Sequence, residues 1–246
     1  MLVSIPHDGV ALPPELVPRM TPSARAVPDT DWHVARLYAF ARRMGASILT
    51  PRFSRYVVDL NRSADDASLY PGRNTTGLCP LQRFDGGEVY LDGEAPSADE
   101  VGDRIQRYWR PYHDALRDEL ERKRALHGRA ILWEAHSIRS QLPWLFEGRL
   151  ADLNLGTAEG HSCGSLVESR VAAATASQFD YSWVLNGRFK GGYITRHYGR
   201  PVEGVEAVQL ELAQSTYMDE ETTAWKPAEA ERLQALLRRM LQVAVD

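Results

Sequence analysis

Residues 55–62 read Arg55-Tyr56-Val57-Val58-Asp59-Leu60-Asn61-Arg62, which packs two guanidiniums and a side-chain amide into one short segment. Tyr56, Val57, Val58 and Leu60 favour a strand, so packing does not explain the polar residues among them. A guanidinium offers a rigid fork of donors that grips a carboxylate through two parallel hydrogen bonds. Two arginines and an asparagine at one strand end therefore suit a small anionic substrate. Two histidines extend this chemistry. His7 follows Ile5-Pro6, and His136 stands in Trp133-Glu134-Ala135-His136-Ser137, each directly after a short apolar run. Neutral imidazole is the commonest zinc ligand, and a catalytic zinc takes three protein ligands and leaves one position open. Asp29-Thr30-Asp31-Trp32-His33 offers the third ligand. Asp31 is preferred, with Asp29 and His33 as alternatives, and an aspartate here would also serve as a plain helix N-cap. Glu211, flanked by Leu210 and Leu212, either lies on a solvent face or enters a site as a general base. Glu134 is the weaker competitor for that role.

Elements must bring these groups together. Leu2 to Pro6 reads as a first strand ending at His7. Residues 8–28 hold Pro13, Pro14, Pro18, Pro22 and Pro28 and read as a loop with a short helix. Val34, Leu37, Tyr38 and Ala41 predict a helix from Asp31 to Met44, closed by Gly45. Ala46 to Leu49 and Arg55 to Leu60 read as strands. Residues 63–100 form a long loop with a hairpin near Glu88–Leu91; a loop of that length is usually functional. Ser97 to Leu126 is the longest helix, opened by a capping box of Ser97 and Glu100. Ala130 to Trp133 is a strand ending at Glu134. A helix follows at Ser165–Gln178, then short strands at Asp180–Leu185 and Gly192–His197. Val205 to Leu212 alternates as a strand, and a C-terminal helix runs from Lys226 or Pro227 to Val245. Strands alternating with helices predict an α/β sheet covered on both faces, with a site beyond the carboxyl ends of its strands.

Less specific are Gly72 to Gly77, a lid loop or a solvated turn, and Gly187 to Arg196, whose three cations lack the strand–loop–helix context of a phosphate loop. Arg196 is the contact this second loop would make with an anion. His161 has no readable catalytic partner, while His113 and His127 belong to the long helix and are expected to face solvent.

Composition narrows the function. The 246 residues, 43% hydrophobic, suffice for one sizeable core, and one domain over residues 1–246 with a loop insertion around 63–100 is expected. A net charge of −4 argues against nucleic-acid binding. No apolar run approaches the roughly 20 residues that span a bilayer, and no signal peptide is recognisable at the N-terminus. Cys79 and Cys163 alone make neither a disulfide framework nor a zinc finger, so a reducing cytoplasm is the expected home.

Taken in order, Val3-Ser4-Ile5-Pro6-His7, Asp29-Thr30-Asp31-Trp32, Ser54 to Arg62, Glu134-Ala135-His136-Ser137, Gly191 to Arg196 and Gln209-Leu210-Glu211-Leu212 resemble the N-formylglutamate amidohydrolase family over nearly the whole chain. The Arg…Asp-Leu-Asn-Arg segment is also similar to that of aspartoacylases and, more distantly, of zinc carboxypeptidases. The resemblance implies a three-layer α/β/α fold of the zinc-exopeptidase (phosphorylase/hydrolase-like) kind with a mixed central sheet. It implies hydrolysis of N-formyl-L-glutamate, an anionic N-acyl amino acid, in bacterial histidine degradation. His7 and His136 match the zinc-binding histidines. In the carboxypeptidase group a Glu three residues after the first His is the third ligand; here that position is Val10, which moves the assignment to Asp31. Arg55 matches the arginine that polarises the scissile carbonyl, Asn61 and Arg62 match the pair that holds the substrate carboxylate, and Glu211 matches the base. Arg196 or Arg73 would hold the second carboxylate. Zn²⁺ is expected, with Co²⁺, Mn²⁺ or Fe²⁺ able to substitute. The alternatives are a related zinc amidohydrolase, aspartoacylase-like or desuccinylase-like, and a non-catalytic anion-binding module.

Overall fold

The computed structural model describes residues 1–67 and 75–246. In chain order its elements are β1 (Leu2–Ser4), α1 (Pro22–Arg25), α2 (Val34–Leu37), β2 (Ser47–Leu49), α3 (Ala98–Arg104), α4 (Arg110–His127), β3 (Ala130–Ile138), β4 (Leu153–Gly156), α5 (Ser165–Ala176), β5 (Trp183–Leu185), α6 (Tyr193–Tyr198), β6 (Val205–Ala213) and α7 (Pro227–Val245). The six strands form one sheet in the order β2-β1-β3-β6-β4-β5. The first four run parallel; β4 is antiparallel to β6, and β5 is parallel to β4. The sheet is therefore mixed, as expected.

The centre of the sheet is the long β3–β6 ladder, which pairs Leu132 with Ala207, Glu134 with Gln209 and His136 with Glu211. Successive side chains point to opposite faces of a strand. Ile131, Trp133, Ala135, Val208, Leu210 and Leu212 share one face and pack in a core with Val167 and Val171 of α5 and Leu233, Leu237 and Leu241 of α7. On the other face, Ala130, Leu132 and Ala207 pack under Leu116 and Leu120 of α4. Beyond them the same face turns polar and carries the site.

Several elements differ from expectation. The Arg55–Leu60 segment is not a strand. Its backbone is folded into turns by side chains: Tyr56 N donates to Ser54 Oγ, Asn61 N donates to Asp59 Oδ1 at 2.9 Å, and Arg62 N reaches Asp59 O. Ser and Asp side chains compete in this way with ladder hydrogen bonds. Its apolar residues are buried all the same, Val58 and Leu60 under α4 and Tyr56 and Val57 beside Met20 and Val89. The expected strand at Gly192–His197 is the helix α6. The helix expected over Asp31–Met44 is shortened to α2 and a 3-10 stretch at Ala39–Met44, because His33 adopts φ 65° and Tyr38 leaves helical geometry. Gly45 ends it at φ 82° as expected, a conformation glycine adopts without a Cβ penalty.

The long helix starts as expected, with Ser97 Oγ accepting from Glu100 N. A π-helical turn at Ile105–Trp109 then divides it into α3 and α4. Pro111 has no N–H to offer the preceding turn, which accounts for the break. His113 does not face solvent. It is buried, its Nε2 2.9 Å from Leu60 O and its ring stacked 3.7 Å from Trp109. His127 is exposed, as expected. No helix of the described residues is long and apolar enough to cross a membrane.

Candidate metal and active site

His7 lies three residues past the end of β1, and His136 sits inside β3, which runs beyond Trp133 because β6 pairs with it through Ile138. Their ring centroids are 4.9 Å apart. Asp31 enters between them from the loop before α2. Its backbone N–H donates to His7 O at 3.0 Å, and its Oδ2 accepts from Ser137 N at 3.1 Å. That carboxylate oxygen is 3.0 Å from His136 Nδ1 and 3.8 Å from His7 Nδ1. One ligand atom from each of the three residues lies within 4.8 Å of the others, and all three residues are buried.

The opposite ring nitrogens are also engaged. His7 Nε2 is 2.7 Å from Asp59 Oδ1, and His136 Nε2 is 2.7 Å from Glu134 Oε1. With each Nε2–H donated to a carboxylate, Nδ1 is the ring nitrogen that would ligate a metal, and both Nδ1 atoms face the Asp31 carboxylate. Two such imidazoles and a carboxylate form the donor set of a catalytic zinc site. Charge agrees with this. Asp31, Asp59, Glu134 and Glu211 are four buried carboxylates, and Arg55, 2.7 Å from Asp59 and 3.8 Å from Asp31, is the guanidinium set between two of them. The residues present therefore fit a divalent cation.

Local fields separate these groups. Burial pushes the Glu211 carboxyl up to about 8, opposed by the charges of His136 and Arg55 and reinforced by Asp31. For Asp59, burial is outweighed by His7 and Arg55, and the carboxyl is held well below the usual range. Burial and Arg55 lower the His7 imidazole, whereas for His136 the hydrogen bonds to Asp31 and Glu134 overcome burial and raise it well above the ordinary value.

These residues open onto one cavity, also lined by Arg55, Asn61, Arg62, Thr76, Phe84, Arg188, Phe189 and Gln209. It encloses about 130 Å³, whereas one water needs roughly 10–15 Å³, so a small molecule can enter. Among the described residues no carboxylate lies within ion-pair distance of Arg62. Asn61 takes Ile194 N on its Oδ1 at 2.9 Å and thereby presents its Nδ2, 3.0 Å from His136 Nε2.

Six of the residues singled out from sequence besides Asp31, namely His7, Arg55, Asn61, Arg62, His136 and Glu211, line this cavity with it. Arg196 does not: it is exposed, with Nε on Gly191 O at 2.8 Å, because α6 turns it away from the strand geometry expected there. Arg188 of the same loop lines the cavity instead. Arg73 lies outside the described residues, as do the first three residues of the Gly72–Gly77 segment. Asp29 is occupied by Tyr56 Oη and Phe84 N, and His33 by Thr223 O, so neither joins the histidine pair. Glu211 is buried rather than on a solvent face. Asp59 and Gln209, which line the cavity, were missed as site residues. Only Asp59 left a signal, an acid within an apolar run four residues after Arg55.

A family model described as N-formylglutamate amidohydrolase matches residues 1–218. The chain belongs to that family. Among curated relatives of the N-formylglutamate amidohydrolase family, an N-formylglutamate deformylase of Pseudomonas aeruginosa is 51% identical over 243 residues, 98% of this chain and 91% of that protein. One from Pseudomonas putida is 49% identical over the same shares. Among solved structures, an N-formylglutamate amidohydrolase from Ralstonia eutropha superposes with a TM-score of 0.83 at 28% identity, covering 99% of this chain and 92% of that one. A gene product of Agrobacterium tumefaciens, 17% identical with a TM-score of 0.72 over 100% of this chain and 91% of that one, shares the fold.

Proposed function

We propose that this chain hydrolyses N-formyl-L-glutamate to formate and L-glutamate, with a zinc ion held by His7, Asp31 and His136. The observation that carries the reading is one cavity holding that triad, a buried carboxylate and an arginine without a carboxylate partner among the described residues. When bound, zinc acidifies a water toward neutrality and polarises the scissile carbonyl. Glu211, beside His136 across the ladder, takes a proton from the attacking water and delivers it to the leaving amine. Its raised proton affinity suits both halves of that task. Arg55 lines the cavity, and its buried Nε has no hydrogen-bond partner among the described residues, which supports a role as donor to the tetrahedral oxyanion. Arg62 and the Nδ2 of Asn61 hold the α-carboxylate, and Arg188 replaces Arg196 as the candidate for the side-chain carboxylate. Co²⁺, Mn²⁺ or Fe²⁺ could substitute for zinc. Both cysteines are unpaired and buried, which supports a cytoplasmic setting, and the resemblance extends the proposal to histidine degradation.

Hydrolysis of N-formyl-L-glutamate by chelated protein, before and after zinc is restored, tests this. Loss and return of turnover are expected. Full activity after complete chelation would refute the metal assignment, and no hydrolysis in any metal state would refute the substrate.

A further inference from the structure

We propose that Glu134 is a positioning residue that selects the metal-binding tautomer of His136 and ties it to the helix supporting Asn61; this rests on the zinc reading above. Glu134 has no exposed surface and, among the described residues, no Lys or Arg within ion-pair distance. A buried carboxylate so placed costs stability unless its hydrogen bonds are specific. Its two oxygens serve different elements. Oε1 meets His136 Nε2 at 2.7 Å, and Oε2 accepts from Thr195 N at 2.9 Å and from Thr195 Oγ1, both in the first turn of α6. The same turn donates Ile194 N to Asn61 Oδ1 and Gly192 N to Gln209 Oε1 at 2.6 Å.

The placement of Asn61 creates a competition. With Oδ1 taken by Ile194, Asn61 presents N–H donors to His136 Nε2 at 3.0 Å. That nitrogen can accept from Asn61 or donate to Glu134, but not both. A carboxylate at 2.7 Å is the stronger partner, so Nε2 keeps its proton and Nδ1, which faces Asp31, is the nitrogen left for the metal. In Glu134→Gln the side-chain oxygen is drawn to Thr195 N–H, and its amide N–H₂ faces His136. Nε2 then meets two donors, becomes an acceptor, and the proton moves to Nδ1, where it competes with metal.

The test is zinc affinity of the full chain, measured by competition with a chromophoric chelator, alongside thermal unfolding of the apo protein. Glu134→Gln is expected to bind zinc about 10- to 100-fold more weakly, the range for loss of a carboxylate behind a ligating histidine. Glu134→Asp, which keeps the charge but is one methylene too short to reach both partners, is expected to weaken it in the same direction. Asn61→Leu in the Glu134→Gln background is expected to restore much of the affinity, which a merely structural role for Glu134 would not do. Wild-type zinc affinity in both Glu134 variants, or no recovery on removing Asn61, would overturn the proposal. A wild-type chain that binds no zinc would overturn the zinc reading itself, a distinguishable result.

Discussion

The β3–β6 ladder has two buried faces that do opposite things. On one, Trp133, Ala135, Val208 and Leu210 pack against α5 and α7, and their contribution is area removed from water. On the other, Glu134, His136, Gln209 and Glu211 are equally hidden from solvent, yet every one of them carries a group that burial penalises. Burial by itself therefore does not distinguish framework from site. The difference is position: on the polar face the apolar residues Ala130, Leu132 and Ala207 come first, and the polar ones occupy the carboxyl half, where α4 gives way to α6 and the cavity. The apolar face holds the ladder rigid enough for the polar face to spend stability on placing charge.

Substitutions on the two faces should therefore separate folding from turnover. Trp133→Ala on the apolar face removes a fully buried ring and its Nε1–H bond to Tyr38 Oη at 3.0 Å. Chemical denaturation should show a loss of about 3–5 kcal/mol, with kcat of the folded fraction little changed. Glu211→Gln on the polar face should do the reverse, lowering kcat on the order of 10²–10⁴-fold while zinc content stays near wild type. Equal turnover in that variant would remove Glu211 from the mechanism. Arg62→Ala should raise KM roughly 10- to 100-fold, the worth of a charged hydrogen bond, with a smaller effect on kcat; an unchanged KM would break its assignment to the carboxylate.

The pH response sharpens the contrast further. Glu211 must be unprotonated to accept a proton, so kcat/KM should fall as pH drops through its pKa. A flat profile between pH 5 and 8 would count against it. The linkage to stability has the opposite sign. Burial holds the folded-state carboxyl near 8 against an ordinary 4.5, so the native state binds the extra proton and apo stability declines as pH rises across that window. Glu211→Gln should flatten part of that decline and, at pH 8, leave the apo protein about 1 kcal/mol or more stabler than wild type, as expected where a buried charge serves function. No comparable slope should change in Leu210→Ala, on the opposite face.

Much of this site was legible from residue types. The strand alternation of Val205–Leu212 placed Glu211 opposite the leucines correctly, and the polar residues of Arg55–Arg62 line the cavity even though the segment is not a strand. The helix α6 was misread because Tyr193, Ile194 and Thr195 favour extended structure. Its first-turn N–H groups are satisfied instead by Gln209, Asn61 and Glu134, all distant in sequence. The burial of His113 was hidden for a similar reason: a helix face looks solvated until Leu60 and Tyr198 are laid against it.

From the sequence alone came strands at β1, β2, β3, β5 and β6, though not β4, and the two histidines, Asp31, the arginines and Glu211 as candidate site residues, because residue chemistry and the period-2 pattern are local properties. Only the tertiary structure decided that Asp31 rather than Asp29 or His33 meets the histidines, that Arg188 rather than Arg196 reaches the cavity, and that Asp59 and Glu134 stand behind the imidazoles. Those outcomes depend on which backbone N–H and side-chain groups are brought within about 3 Å across many residues of chain, and no local pattern encodes such a distance.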